Sequence, residues 1–240
     1  MSPHRERAAE FDDYAAGYEA GMNDPLKRLL GESADQYLAV KVRWLRRDLA
    51  DFAARPALLD FGCGVGSFLR LWAAEGASGP LHGCDVSGGM LAEARRRWPS
   101  AQPLPDLRAF ADARAPFDDS TLDVVVACAV FHHIPPPERR TAFRELLRVL
   151  RPGGRAYVFE HNPWNPVTVR VVRRTPIDRN AVLLPARESR AGLREAGARR
   201  LRVRYLHFTP PRLRALARID AWCARLPIGA GYVVRGEKPA

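Results

Sequence analysis

Three glycines between two carboxylates are the residues whose types and spacing point most directly to chemistry. They lie in the run Leu58-Leu59-Asp60-Phe61-Gly62-Cys63-Gly64-Val65-Gly66-Ser67. Glycines placed this way let the backbone turn tightly and let a ligand approach main-chain atoms with no Cβ in between. Asp85 stands about 20 residues beyond Gly66, where a carboxylate can accept hydrogen bonds from both hydroxyls of a ribose. Together with Asp60 in front, these residues describe a crevice for an adenosine-containing cofactor. The dinucleotide fingerprint wants Gly or Ala where this chain has Ser67, which argues against a nicotinamide-dependent reductase.

Two further groups can move protons or orient a polar acceptor. His132-His133 follows an apolar run, and an imidazole titrating near neutrality can take a proton from a hydroxyl or an amine. Glu160-His161-Asn162-Pro163-Trp164-Asn165-Pro166 brings a carboxylate, an imidazole and two amides just before an aromatic segment. His133, Glu160 and His161 are the candidate catalytic residues. Glu160 and Asn162 have an alternative use, pinning the following loop through side chain to backbone bonds. Cys63, Cys84, Cys128 and Cys223 show none of the paired spacings of zinc or redox sites, and no metal constellation is evident.

The elements that must hold these residues alternate along the chain. Short apolar strands are expected at Ala57–Phe61, Leu81–Asp85, Pro105–Ala111, Leu122–Cys128 and Arg155–Glu160. Helices are expected between them at Ser67–Glu75, Gly88–Arg97 and Glu138–Leu150. That alternation predicts an α/β fold, a doubly wound and mostly parallel sheet. In front of it, Phe11, Tyr14 and Tyr18 line one helix face, and a second helix is expected over 33–53. Residues 162–185 carry three prolines near Trp164 and no clear period, so they read as an irregular cap. A helix at 187–196, a strand at 200–208, a helix at 210–225 and a strand at 231–236 complete the chain.

In the order and spacing of these motifs, residues 8–160 resemble the class I S-adenosylmethionine-dependent methyltransferase family. Its first motif is matched by Asp60, Gly62, Gly64 and Gly66, its acidic ribose ligand by Asp85, and its third-strand turn by Ala111-Asp112-Ala113. Val125–His133 with Ile134-Pro135 resembles its fourth strand and the turn beyond, and Leu147–Gly154 the motif before its fifth strand. The resemblance implies a seven-stranded Rossmann-like sheet in the order 3-2-1-4-5-7-6 and S-adenosylmethionine as cofactor. Residues 1–54 would form a lid of helices and 55–240 the methyltransferase domain, with 162–185 and 210–225 as cap segments over the acceptor. Backbone around Gly62, Cys63 and Gly64 would face the amino acid end of the cofactor, Asp85 with Val86 the ribose, Met90 the adenine face and Asp112 its edge. Cys128, at the end of the fourth strand, completes the cofactor set, and Tyr14 would reach the cofactor carboxylate. The tail more loosely resembles a bacterial subgroup of natural-product and surface-polysaccharide pathways.

A small-molecule acceptor, methylated on oxygen or nitrogen, is the expectation. A nucleic-acid methyltransferase is the rival within enzymes, favoured by the net charge of +11 and opposed by the absence of an aromatic-and-basic binding motif. A cofactor-binding scaffold without transfer activity is the rival outside them. No apolar run reaches the roughly 18–20 residues of a membrane span. The polar stretch Met1–Glu10 shows no secretory signal, so the expected location is the cytoplasm. The sequence specifies no oligomeric state.

Overall fold

A computed structural model of the chain describes residues 3–15, 17, 34–52, 55–76, 78–111, 114–208 and 222–240. Asp112, Ala113, Tyr18 and most of the expected 210–225 helix lie outside the described residues.

Seven strands form one sheet: β1 (Leu58–Phe61), β2 (Leu81–Asp85), β3 (Asp106–Ala109), β4 (Leu122–Cys128), β5 (Leu150–His161), β6 (Arg199–Leu206) and β7 (Gly231–Glu237). Their order is 3-2-1-4-5-7-6, as expected, and β7 runs antiparallel to both neighbours. Helices α1 (Pro3–Ala15), α2 (Ala34–Asp48), α3 (Ser67–Ala74), α4 (Gly88–Arg97), α5 (Arg139–Val149), α6 (Pro166–Arg174) and α7 (Ala186–Glu195) fill the connections.

The central strands are apolar throughout because both faces are covered. Leu58, Val124, Val126, Tyr157 and Phe159 point one way, onto Val42 and Leu45 of α2 and Phe68, Leu69 and Trp72 of α3. Leu59, Val125, Ala127, Ala156 and Val158 point the other way, onto Phe143, Leu146 and Leu147 of α5 and Leu193 of α7. This two-residue alternation fixes register, since a slip of one residue would exchange the faces.

Two expectations need correction. β5 begins at Leu150 rather than Arg155, because Gly153 N donates to the Lys238 carbonyl and Lys238 N to that of Gly154, both at 2.9 Å, extending the ladder through the Pro-Gly-Gly turn. Residues 162–185 are not irregular throughout, since they contain α6. Asn165 caps that helix, its Oδ1 accepting from Thr168 N at 2.9 Å, and Pro166 occupies the first turn, where no N–H is needed.

Candidate active site

The carboxyl edge of β1, β2 and β4 opens on a crevice lined by Gly62, Gly64, Asp85, Val86, Met90 and His133, with Phe11 and Ile177 contributing from above. Its floor is set by backbone geometry. Gly62, Gly64 and Gly66 have φ of 75°, 50° and 73°, a left-handed conformation that costs other residues about 1–2 kcal/mol. A Cβ on Gly62 would also lie 2.6 Å from Val130 Cγ2, so the chain passes there only as glycine.

Asp85 braces the floor. Its Oδ2 accepts from Gly64 N at 2.8 Å and its Oδ1 from Ser87 N at 3.0 Å, joining the loop after β1 to the loop after β2. Carboxylate oxygens accept more than one hydrogen bond, so lone pairs remain for hydroxyls in the crevice. Burial raises its pKa, and bonds from Ser87 and Gly64 N–H oppose that. Asp60 lies buried beneath. Among the described residues no hydrogen-bond partner meets its Oδ1, and burial followed by the charge of Asp85 pushes its carboxyl up to about 8.

Other expected residues surround rather than line the crevice. Cys63 is buried, its thiol pKa raised by burial. Gly66 turns the chain into α3. Cys128 Sγ accepts from Lys41 Nζ at 3.4 Å. Ala111 is exposed. The Tyr14 hydroxyl donates to the Pro176 carbonyl at 3.3 Å, which ties α1 to the 176–178 turn.

Beyond β4 the chain makes a tight turn at Phe131–His133, held by the buried Arg139, whose Nε donates to the Phe131 and Ile134 carbonyls. Glu160 supports the same turn from the end of β5. Its Oε1 accepts from Val130 N at 3.0 Å and Phe131 N at 2.7 Å, and its Oε2 lies 2.6 Å from His132 Nδ1. Burial is the largest influence on each and opposes its charge, but the surrounding charges and hydrogen bonds together outweigh it. Glu160 falls to about 2, and His132, with Asp178 also near, rises to about 9.

His133 is half-buried, edge-on to Phe11 with ring centroids 5.2 Å apart. Burial, and then the charge of His132, lowers its pKa. His161 is held down to about 3 by burial and by His132, whose ring centroid is 5.1 Å away. Asn162 pins the cap as the alternative reading expected, donating to the Pro227 and Gly229 carbonyls.

Sequence reasoning missed four residues. Phe110 lines the crevice beside Phe61, with rings 5.3 Å apart. Asp12 accepts from Ser87 Oγ and Gly89 N at the start of α4, where the serine cap was the available signal. His132, named only as half of a pair, is the ring that Glu160 holds. Asp178 meets His132 and His133 from 46 and 45 residues away, and no local pattern marks it.

Comparison with known proteins decides the family. Residues 59–158 match the methyltransferase domain family. A demethylmenaquinone methyltransferase of Beutenbergia cavernae is 35% identical over 170 residues, covering 68% of this chain and 62% of that protein. A "Probable tRNA methyltransferase 9B" of Mus musculus is 30% identical over 118 residues, covering 48% of this chain and 24% of that protein. A Thermotoga maritima SAM-dependent methyltransferase, described as a possible histamine N-methyltransferase, superposes with a TM-score of 0.67 at 17% identity, covering 96% of this chain and 99% of that one. Residues 59–158 are thus a methyltransferase domain, in a fold shared with S-adenosylmethionine-dependent methyltransferases. The chain spans about three fifths of the length of that demethylmenaquinone relative.

S-adenosylmethionine is the cofactor, and the crevice fits it. The buried, unpartnered Asp60 Oδ1 offers an acceptor below the glycine loop. Gly64 leaves open space where a Cβ would stand, and the Asp85 carboxylate lines the same crevice.

Proposed function

We propose that this methyltransferase acts on a small-molecule acceptor at oxygen or nitrogen. The observation that carries the reading is one continuous lining, in which Gly62, Gly64, Asp85 and Met90 on the cofactor side meet His133 on the other. The sulfonium methyl of the cofactor is already electrophilic, so the protein has chiefly to place a nucleophile in line with it and to manage the acceptor's proton. The corner formed by His133 and Asp178 is where that proton is lost. Glu160 is a positioning residue, acting through His132 and the turn that carries His133. His161, kept neutral, offers a hydrogen bond to the acceptor from the end of β5.

The apolar Phe11 and Ile177 above the crevice suit a ligand that is covered, with water excluded from the methyl group. The N-terminal helices are read as the lid, and 162–185 and 210–225 as the cap. Among the described residues no helix is long and apolar enough to cross a membrane, in keeping with action in the cytoplasm.

Calorimetric titration with S-adenosylmethionine, in parallel with nicotinamide dinucleotides, tests the cofactor side. A labelled methyl donor offered to phenols, sugars and amines tests the acceptor side. Saturable binding of the methyl donor alone, with label in a small acceptor, is the expected result; no donor binding overturns the reading. A second reading, methylation of RNA, is favoured by the net charge of +11 and by the mouse relative's name. Label appearing in tRNA, and falling steeply with salt, would select it instead.

A further inference from the structure

Three ligand-type atoms converge at the far corner of the crevice. His132 Nε2 and His133 Nε2 lie 3.4 Å and 3.3 Å from the same atom, Asp178 Oδ1. All three lie within 4.8 Å of one another. Both contacts are longer than charge-assisted N–H···O bonds, which run at about 2.7–2.9 Å. They match another spacing. Ligands bound about 2.0–2.1 Å from a tetrahedral zinc-type ion stand about 3.3–3.4 Å apart along each edge.

The surroundings favour the same occupant. His132 Nδ1 is held by Glu160 at 2.6 Å, which orients the ring with Nε2 outward, as a carboxylate behind a ligating histidine does. Glu160 and Asp178 bring two negative charges into a corner where His132 is the one ring within 3.4 Å of both. The buried Arg139 gives its nitrogens to the carbonyls of Phe131, Ile134 and Val182 and faces Glu188 at 3.7 Å. A divalent ion there would meet two imidazole nitrogens and the Asp178 carboxylate, with Glu160 behind His132. The three ligands come from two elements, the turn after β4 and the 176–178 turn of the cap, which Val182 N to the His132 carbonyl at 2.8 Å already holds together.

We propose that His132, His133 and Asp178 bind one divalent transition-metal ion of the zinc type, with Glu160 orienting His132 and the fourth position open to the crevice. His133 lines the crevice and is 18% exposed, so the open position is reachable from the acceptor side. The ion's role rests on the proposed transfer reaction. There it would take the acceptor's oxygen or nitrogen as fourth ligand and lower its pKa, so that the proton leaves to solvent before methyl transfer. Histidine and carboxylate ligands select ions of the zinc, iron, cobalt and nickel group over magnesium.

The test uses the tag-free 240-residue chain, stripped with chelator and titrated with Co2+ under visible spectroscopy, then with Zn2+ in competition. One equivalent of Co2+ giving the absorption of a four-coordinate ion, displaced by Zn2+, is the expected result. Asp178→Asn should weaken that binding by tenfold or more. His133→Asn, on the half-exposed ring, provides the same readout should the buried variant fail to fold. No saturable binding to the wild type overturns the site, and so does binding that neither variant changes. A parallel S-adenosylmethionine titration separates the two readings. Donor binding without metal binding removes only the metal site, whereas metal binding without donor binding removes the methyltransferase reading and leaves the site.

Discussion

Asp12 and Ser87, 75 residues apart in sequence, share a hydrogen bond of 2.5 Å in which Ser87 Oγ donates to Asp12 Oδ1. The same oxygen accepts from Gly89 N at 2.8 Å. The first helix is therefore fastened to the N-terminus of α4, the end that attracts negative charge. Ser87 N also donates to Asp85, so the fastening sits two residues from the carboxylate that lines the crevice.

Replacing Asp12 with Ala should loosen α1 without unfolding the sheet. The loss should be about 0.5–1.5 kcal/mol, as for a neutral-strength hydrogen bond at a solvent-facing site. Hydrogen exchange would show faster exchange over residues 3–15 while β4 amides keep their protection. Equal acceleration in both would show that the helix is part of the core.

Asp85→Ala removes the group that braces both loops and that is proposed to face the ribose. S-adenosylmethionine affinity should fall by about 1.5–3 kcal/mol, the range for hydrogen bonds to a charged group. Unchanged calorimetric affinity would remove Asp85 from the ribose site.

Gly62→Ala meets two separable penalties, the positive φ and the close approach to Val130. The first costs about 1–2 kcal/mol, and the second should be relieved by Val130→Ala. Denaturant unfolding of the two single variants and the double variant should show coupling, with the double variant less destabilised than the sum. Strict additivity would mean that the contact with Val130 carries no cost.

Asp60 sets a dependence on pH. Its folded-state pKa, about 8, lies above the ordinary 3.8, so the folded chain holds a proton that the unfolded chain releases. Its contribution is fully present below pH 3.8 and is lost as the pH rises through about 8. Ligand-free wild type should therefore lose stability relative to Asp60→Asn between pH 5 and pH 8. Urea midpoints at those two pH values read the difference. Parallel profiles for the two proteins would show that Asp60 does not retain its proton. A cationic ligand that ionises Asp60 would release the proton, so its binding should tighten with rising pH over the same interval.

The strand order and the glycine loop were legible because their signals are local. Leu122–Cys128 is apolar at every position but Asp123, and the glycines with Asp85 lie on consecutive turns. Helix α6 was also written locally, in Asn165-Pro166, but the prolines around it were read as a break rather than as a cap and first turn. The roles of Glu160, Asp178 and Asp12 were not legible. Each depends on contacts across 28 to 75 residues, which arise only when the sheet order brings those segments together. Glu160 was picked for its place at the end of β5. It proved to face the turn behind His133 rather than the open crevice.

The roof of the crevice has its own consequence for turnover. Its two halves come from opposite parts of the chain, Phe11 from the first helix and Ile177 from the cap. The polar links between them include Tyr14 to the Pro176 carbonyl and Asn180 Nδ2 to Glu10 Oε1 at 2.9 Å, both solvent-exposed. Such bonds are exchanged with water at a small net change in free energy. Beneath them α1 rests on a small apolar patch, Val65 and Met90 against Ala15 and Phe11, rather than on either main core. The roof is a latch of low activation cost, able to part and reclose while the sheet stays folded. How readily the roof parts then turns on the bonds of Asp12 to Ser87 and Gly89, which hold α1 against α4.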